Sequence, residues 1–415
     1  MLHAASEGFE ERLARGGPIA GYNGFDPSAA SLHIGNLVPI SGLLHFQRHG
    51  GRPVAVVGGG TGMIGDPSGR SSERNLLDLD VLERNTAGIR GQLERLLGSS
   101  GSGDVRIVDN REWLAPMSMI EFLRDAGKHF TIPYMLAKDS VQGRMERGLS
   151  FTEFSYMILQ AIDFAHLHRT MGVEVQMGGA DQWGNITAGL ELIRRTGAAA
   201  DGTTADGGTA YALAYPLLLS PSGAKFGKSE GGTSVWLDPE LTSPFAFYQH
   251  WLNTDDRDVG VYLRWFTLLE PEAIEALDAE VAAHPAARAA QRALAYDVTA
   301  RVHGEAAGRA AIDDAAALFS PEPIRDPVRL ERLHKSVGGF TVPRDGVGQP
   351  IAAVLADAGL FPSRGEARRM ISGGGLVING EAVSDGAAAL PAGIDGRWWE
   401  VRIGRRRREL GRLAD

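Results

Sequence analysis

Short apolar runs alternate with stretches of helical period over residues 18–232, and this alternation predicts a parallel sheet joined by crossover helices. Arg52–Val57 (RPVAVV) reads as a buried strand, residues 105–108 as a second and residues 173–177 as a third, each followed by a cluster of Gly, Asn or Asp. A first strand is expected at residues 18–22. Ligands of such sheets bind beyond the carboxyl ends of the strands, where these polar clusters fall. From about residue 243 to residue 317 the pattern changes to long helical periods, notably at 271–281 and 287–303, and predicts a helical domain. Residues 321–349 carry Pro, Gly and charge without a period and are expected to be a linker. Beyond them, 351–359 and 363–372 read as helices and 376–383 as a hairpin turned at Asn379-Gly380. The division expected is therefore 1–232, 233–320, 321–349 and 350–415.

Four segments carry chemistry on this frame. Residues 22–36 read YNGFDPSAASLHIGN, with His33 just ahead of a helix that should begin near Gly35. A helix start with a histidine before it and a glycine admitting a ligand to the backbone suits a polyphosphate; the plain alternative is a solvated loop histidine. Residues 58–69 contain GxGxxG directly after a strand, yet the glycines run into the turn sequence Asp66-Pro67-Ser68-Gly69 where a dinucleotide fingerprint needs a helix. In residues 150–170, opened by Ser150 and Glu153 as a capping box, Tyr156, Gln160 and Asp163 share one stripe of a helix that is otherwise apolar all round. A buried phenol, amide and carboxylate need partners, and a polar ligand would supply them. Residues 221–229, PSGAKFGKS, miss the P-loop spacing by one residue but carry Lys225 and Lys228, able to close two charges on a polyphosphate.

Composition narrows the class. The 415 residues exceed one typical core, and no apolar run is long enough to span a bilayer, so a cytoplasmic protein of two or three domains is expected. Zero cysteines exclude disulfides and thiolate metal sites, and the 11 histidines contain no HExxH spacing, so no protein-ligated metal is expected. A net charge of -9 argues against a polyanion partner, but residues 350–415 hold ten Arg against eight Asp and Glu, so an RNA partner remains open to that end of the chain.

HIGN followed about 190 residues later by KFGKS resembles the paired signatures HIGH and KMSKS of class I aminoacyl-tRNA synthetases. The segments GDPSGRSSER, FTEFSYMILQAIDF, GGADQWGNITAGLELIRR and TSPFAFYQHWLNTDDRD are similar to the bacterial tyrosyl-tRNA synthetase family over nearly the whole chain, and LFPSRGEARRMISGGGLVINGEAV resembles the small RNA-binding fold that ends its members. The resemblance implies an α/β architecture: a Rossmann-like parallel-sheet catalytic domain with an inserted dimerisation segment, a helical anticodon-side domain, and a small α+β RNA-binding domain. It implies the substrates L-tyrosine, ATP with magnesium, and tRNA(Tyr). By position it gives Tyr22 and Asp163 to the substrate hydroxyl, Tyr156, Gln160 and Asp66 to its ammonium group, and Asp26, Ser28, His33 and Asn36 to ATP. Asp181 falls to the ribose, Lys225, Lys228 and Ser229 to the pyrophosphate, and Asn110, Gln182 and Arg74 to the surrounding wall. Asn36 departs from the second histidine of HIGH, Arg70 from a common lysine and Ser28 from a common threonine.

For tRNA, the resemblance favours Arg364, Arg368 and Arg369 on one short helix and the basic run 405–408, with Arg405 and Arg406 foremost; a solvated charged tail is the plain alternative. A homodimer is implied, with residues 113–130 as its surface. A tryptophan-specific sister enzyme, a small-molecule adenylyltransferase and a non-catalytic RNA-binding relative are the competing readings.

Overall fold

A computed structural model describes residues 2–66, 77–98, 105–145, 148–197, 209–218, 234–404 and 407–414. Six strands, β1 (Ala4–Ala5), β2 (Ala20–Phe25), β3 (Arg52–Val57), β4 (Arg106–Asp109), β5 (Val173–Gly179) and β6 (Tyr211–Tyr215), form one sheet in the spatial order β1-β6-β5-β2-β3-β4. All neighbours are parallel except the short edge strand β1, which runs antiparallel to β6. The first strand expected at residues 18–22 lies slightly later, as β2. Because β2 has β3 on one side and β5 on the other, the crossovers leave it in opposite directions and open a crevice at the carboxyl ends of β2 and β5.

Local sequence explains the helices that wall this crevice. The Leu37–Arg48 helix tolerates Pro39 because the first turn has no internal acceptor for its N–H groups. The Phe151–Met171 helix begins where Ser150 Oγ accepts from Glu153 N at 3.2 Å, and stops where Gly172 turns left-handed at φ 65°. Tyr156, Met157, Ile158, Ala161, Ile162, Asp163, Phe164 and Leu167 of that helix are all buried, as its apolar circumference requires. After β3, residues 58–60 run into a single 3-10 turn, Thr61–Met63, so the glycine run does not open the helix that a dinucleotide site needs.

The chain divides into two compact units, Met1–Leu237 with Arg264–Glu270, and Asp238–Leu263 with Pro271–Asp415. The first extends past the expected boundary at residue 232 because Ile34 N donates to Val235 O and Leu237 N to Leu32 O, pinning residues 235–237 to residues 32–34. The second contains the helices Pro244–Leu252, Pro271–Ala283, Ala289–His303 and Glu305–Phe319, followed by a sheet of β7 (Phe340–Val342), β8 (Leu376–Ile378), β9 (Glu381–Ala382), β10 (Trp398–Ile403) and β11 (Arg407–Leu413). Its spatial order is β7-β11-β10-β8-β9. The Ile351–Asp357 and Arg364–Ser372 helices cover one face, with Trp399, Val401 and Ile403 meeting Leu355 and Ile371 in the core. Asn379 and Gly380, at φ 51° and 87°, turn the expected hairpin between β8 and β9.

The linker expectation for residues 321–349 is corrected. That stretch holds the Pro327–Val337 helix, capped where Asp326 Oδ1 accepts from Val328 N at 3.0 Å, and β7, which pairs in parallel with β11. Only Leu330 and Leu333 of the helix are buried, and a three-residue strand is too short for alternation to register, so neither element leaves a readable period.

Replacing Gly172 by Ala forces a side chain into the left-handed region, and the variant is expected to lose about 1 kcal/mol of stability. Urea unfolding followed by circular dichroism checks this; an unshifted midpoint would contradict the role given to that cap.

Candidate active site

The crevice at the ends of β2, β5 and β6 is a cavity of about 360 Å³ lined by residues at the carboxyl ends of β2, β3, β5 and β6 and by Asn110 just after β4. At its deep end Tyr22, on β2, and Asp163, on the Phe151–Met171 helix, are 2% and 4% exposed. The Tyr22 hydroxyl makes no hydrogen bond to any of the described residues. Asp163 is held from two sides: Asn110 Nδ2 donates to Oδ2 at 2.9 Å and Trp113 Nε1 to Oδ1 at 2.8 Å. Burial pushes the Asp163 carboxyl up to about 7; the two donors pull against that, and the charges of Asp26 and Asp109 add to it. Burial and the neighbouring Asp163 likewise raise the Tyr22 hydroxyl well above its ordinary range. A buried hydroxyl left unpaired costs on the order of 1–3 kcal/mol, so a ligand able to hydrogen-bond it has a favourable place waiting.

Asp26 forms the middle of the site. Tyr156 donates to its Oδ2 at 2.9 Å and Thr61 Oγ1 to its Oδ1 at 2.8 Å, while Asn110 Nδ2 also donates to Thr61 Oγ1 at 2.9 Å. Tyr156, expected at the ammonium group, is thus already tied to Asp26, expected at ATP; its oxygen can still accept from a cation while its proton stays on Asp26. The glycines of the decoy fingerprint have a different task here. A Cβ at Gly58 would stand 2.1 Å from Asp26 Oδ1, and one at Gly59 would stand 2.3 Å from Asp109 Oδ1. Beside them Gln182 Nε2 donates to Asp66 Oδ2 at 2.6 Å, and Asn185 Nδ2 donates to Gln160 Oε1 at 3.1 Å and Gln182 Oε1 at 3.3 Å. Carboxylate, carboxamide and phenol oxygens therefore converge on one side of the cavity, which suits an ammonium group.

The other end is built by the 3-10 turn Ile34–Asn36. Gly35 N donates to His33 Nδ1 and His33 N donates to Asn36 Oδ1, each at 3.0 Å, a reciprocal cap that leaves the His33 ring proton on Nε2. The ring stands edge-on to Trp236, 6.2 Å between centroids. Ser28 lines this end, and Asp181 and Gln182 project from the 3-10 turn that follows β5. The sequence-expected Lys225, Lys228, Ser229, Arg70 and Arg74 lie outside the described residues. Both flanks of the stretch 219–233 do belong to the site: Tyr215 through Leu218 line the cavity, and Val235 and Trp236 pair with Ile34 and His33. Among the described residues no group of three or more His, Asp or Glu side chains is placed to hold a metal ion, and no helix is long and apolar enough to cross a membrane.

Every expected substrate residue that is described therefore borders one cavity. Sequence reading missed Trp113, Thr61 and Asn185 as site residues. Asn185 sits in the DQWGN segment, three residues after Gln182, whereas Trp113 shows its role only once the turn after β4 is placed against the Phe151–Met171 helix.

Residues 14–320 match the family model for class I tRNA synthetases of the tryptophan and tyrosine type, and residues 349–393 match the S4 domain model. The chain is 50% identical to a tyrosine-tRNA ligase of Anaeromyxobacter dehalogenans, covering 95% of this chain and 92% of the relative. It belongs to the tyrosine-tRNA ligase family. A second member, from Roseiflexus castenholzii, is 46% identical over 100% of this chain and 97% of its own. Among solved structures, a C-terminally truncated mitochondrial tyrosyl-tRNA synthetase of Aspergillus nidulans superimposes with a TM-score of 0.64 at 31% identity, covering 72% of this chain and 86% of that one. As an aminoacyl-tRNA synthetase of this family the protein is a ligase with the class I parallel-sheet fold.

At the carboxyl-terminal end Arg368 and Arg369 are exposed, and Arg364 is exposed but paired with Asp357 at 2.7 Å. Arg405 and Arg406 lie outside the described residues. The basic run 405–408 is corrected at Arg408, whose side chain is 8% exposed and faces Glu400 and backbone carbonyls rather than solvent, so it is not a phosphate contact.

The raised Asp163 carboxyl has a sign that can be measured. A carboxyl whose folded pKa lies above its unfolded value contributes stability that is complete below about pH 4 and lost as pH rises through about 7. Asp163→Asn removes that titration, so the unfolding temperature of ligand-free variant minus wild type should climb between pH 4 and pH 8. A flat difference would mean that Asp163 titrates as an ordinary surface carboxylate.

Proposed function

We propose that the cavity activates L-tyrosine with ATP, forming tyrosyl-adenylate and pyrophosphate, and that the tyrosyl group is then passed to the 3' end of tRNA(Tyr). The observation that carries this reading is the unpaired, buried Tyr22 hydroxyl beside the doubly held Asp163 carboxylate. A phenol placed between them accepts a hydrogen bond from the Tyr22 hydroxyl and donates one to the Asp163 carboxylate. Phenylalanine would leave the Tyr22 hydroxyl buried without a partner and would give Asp163 no third donor beyond Asn110 and Trp113, and that penalty falls on the wrong substrate alone.

The remaining roles follow the cavity. Asp66, Gln160 and Tyr156 take the ammonium group, and Asp26, Ser28, His33 and Asn36 take ATP, with Asp181 and Gln182 at the ribose and Lys225, Lys228 and Ser229 at the pyrophosphate, where magnesium would accompany the nucleotide. No covalent nucleophile is required: the tyrosine carboxylate attacks the α-phosphate, and the protein positions both and stabilises the charge that develops. Trp113 is a positioning residue in this scheme, since its N–H aims Asp163. We assign residues 233–320 to the anticodon side, residues 350–415 to RNA binding, and the reaction to the cytoplasm. A homodimer is supported by the apolar side chains of Met119, Ile120, Leu123 and Ile132, each at least 48% exposed, on the segment that follows β4.

Amino-acid-dependent exchange of labelled pyrophosphate into ATP tests the core of the proposal. Tyrosine alone, among tyrosine, phenylalanine and tryptophan, should support exchange. Tyr22→Phe and Asp163→Ala should each lower kcat/KM for tyrosine by roughly 10- to 150-fold, the loss of a hydrogen bond involving a charged or buried partner. Exchange with tryptophan would move the substrate to the sister reaction. For tRNA, Arg368→Ala with Arg369→Ala should weaken binding and lower the slope of log affinity against log salt by about 1–2; an unchanged slope would remove those residues from the interface. Met119→Glu with Ile120→Glu should convert a dimer to monomer in sedimentation velocity.

A further inference from the structure

Alternation along β10 sends Trp399, Val401 and Ile403 into the core of the carboxyl-terminal sheet, so Trp398, Glu400 and Arg402 point from the opposite face. Arg408 of β11 stands directly across from Arg402 and diagonal to Glu400. Glu400 is 1% exposed, and its two oxygens have different partners. Oε2 accepts from Ile324 N at 2.7 Å, and Oε1 lies 2.9 Å from Arg408 Nε. The Arg408 guanidinium then donates to Ser320 O at 2.7 Å, Glu322 O at 3.1 Å and Ala317 O, while Arg402 donates to Pro321 O.

Ser320, Pro321 and Glu322 belong to the stretch leaving the Glu305–Phe319 helix, and Ala317 O, in its last turn, also accepts from Ser320 N at 3.3 Å. The guanidinium closes that helix end from a neighbouring strand, and Glu400 secures the chain four residues further on. Tighter closure comes from Gly380, where a Cβ would meet Pro323 Cγ at 2.9 Å. On the other flank the buried Asp314 accepts from Arg332 twice, both at 2.6 Å, tying the Glu305–Phe319 helix to the Pro327–Val337 helix. Burying a carboxylate and a guanidinium costs several kcal/mol each, and apolar side chains would hold the same surfaces as firmly. What the ion pair adds is direction: a planar fork satisfied by three carbonyls fits one placement of the chain.

We propose that Glu400 and Arg408 form a positioning clasp that fixes the carboxyl-terminal fold to the end of the Glu305–Phe319 helix, presenting Arg368 and Arg369 to tRNA in one preset orientation. The clasp acts on tRNA alone and leaves amino-acid activation untouched. It rests on the tRNA reading given above.

The test uses the full chain. Glu400→Gln should keep tyrosine-dependent pyrophosphate exchange within about twofold and raise KM for tRNA about tenfold, the loss of a preorganised orientation. Because the protein has no cysteine, Ala316→Cys with Ser384→Cys accepts two spin labels cleanly. Their distance distribution should be narrow in the parent and broad with Glu400→Gln. Arg408→Lys, which keeps charge and loses the fork, repeats both readouts should Glu400→Gln fail to fold. A broad distribution in the parent, or an unchanged tRNA KM once the distribution has broadened, overturns the clasp. So does a parallel fall in pyrophosphate exchange. A parent that charges no tRNA defeats the functional reading instead, and the distance measurement still decides the clasp.

Discussion

A carboxylate cannot be buried at the centre of a sheet protein unless donors surround it, and Asp163 sets that demand for this catalytic unit. Asn110 and Trp113 meet it from the turn that follows β4, so that turn must stand beside the Phe151–Met171 helix. Asn110 reaches onward to Thr61, and Thr61 to Asp26 at the end of β2. Three strand ends and a helix are thereby registered to one another by polar contacts that have little freedom to slip. The cavity is the space this network encloses, and among the described residues the Tyr22 hydroxyl, Asn23 Nδ2 and Gln176 Oε1 on its lining have no hydrogen-bond partner.

Glycine placement follows from the same constraint. Asp26 can approach the β3 turn only because Gly58 has no Cβ, and Asp109 can accept from Gly59 N at 3.1 Å only because Gly59 has none. A run that imitates a dinucleotide fingerprint is thus explained by side chains packing against the glycines. The two uses differ in what approaches the backbone, a carboxylate of the protein here and a pyrophosphate there, and a regular expression cannot tell them apart.

How far the sequence could be read depended on whether a residue's partner was near in sequence or only in space. The stripe Tyr156, Gln160 and Asp163 was legible because helical period and apolar neighbours both act within a few residues, and burial followed directly. The hairpin at Asn379-Gly380 was legible because two positive φ angles demand those residue types. Trp113 was not, since its value lies in an N–H meeting a residue 50 positions away. Residues 321–349 failed for a related reason: the Pro327–Val337 helix is held by Asp314 and by the sheet behind it, and its own sequence carries little apolar signal. Arg408 was misjudged because a basic run looks solvated until strand alternation shows that one member faces inward.

Asn36 illustrates how a departure from a family motif can be absorbed. Its position needs a side chain that accepts from His33 N, since that bond and the Gly35 contact to His33 Nδ1 close the turn from both ends. Under the ATP role proposed above, the position also needs a donor facing the phosphate. Histidine meets both needs with two ring nitrogens, one accepting and one donating. Asparagine meets them with the two ends of its amide: Oδ1 is committed to the turn, which fixes Nδ2 as the group turned away from it. Aspartate would keep the turn and lose the donor, bringing a negative charge toward an anion, whereas leucine would lose both. The substitution therefore preserves the hydrogen-bonding pattern of the turn, and under the proposed ATP role the shorter reach of asparagine is the physical difference that would act on the phosphate.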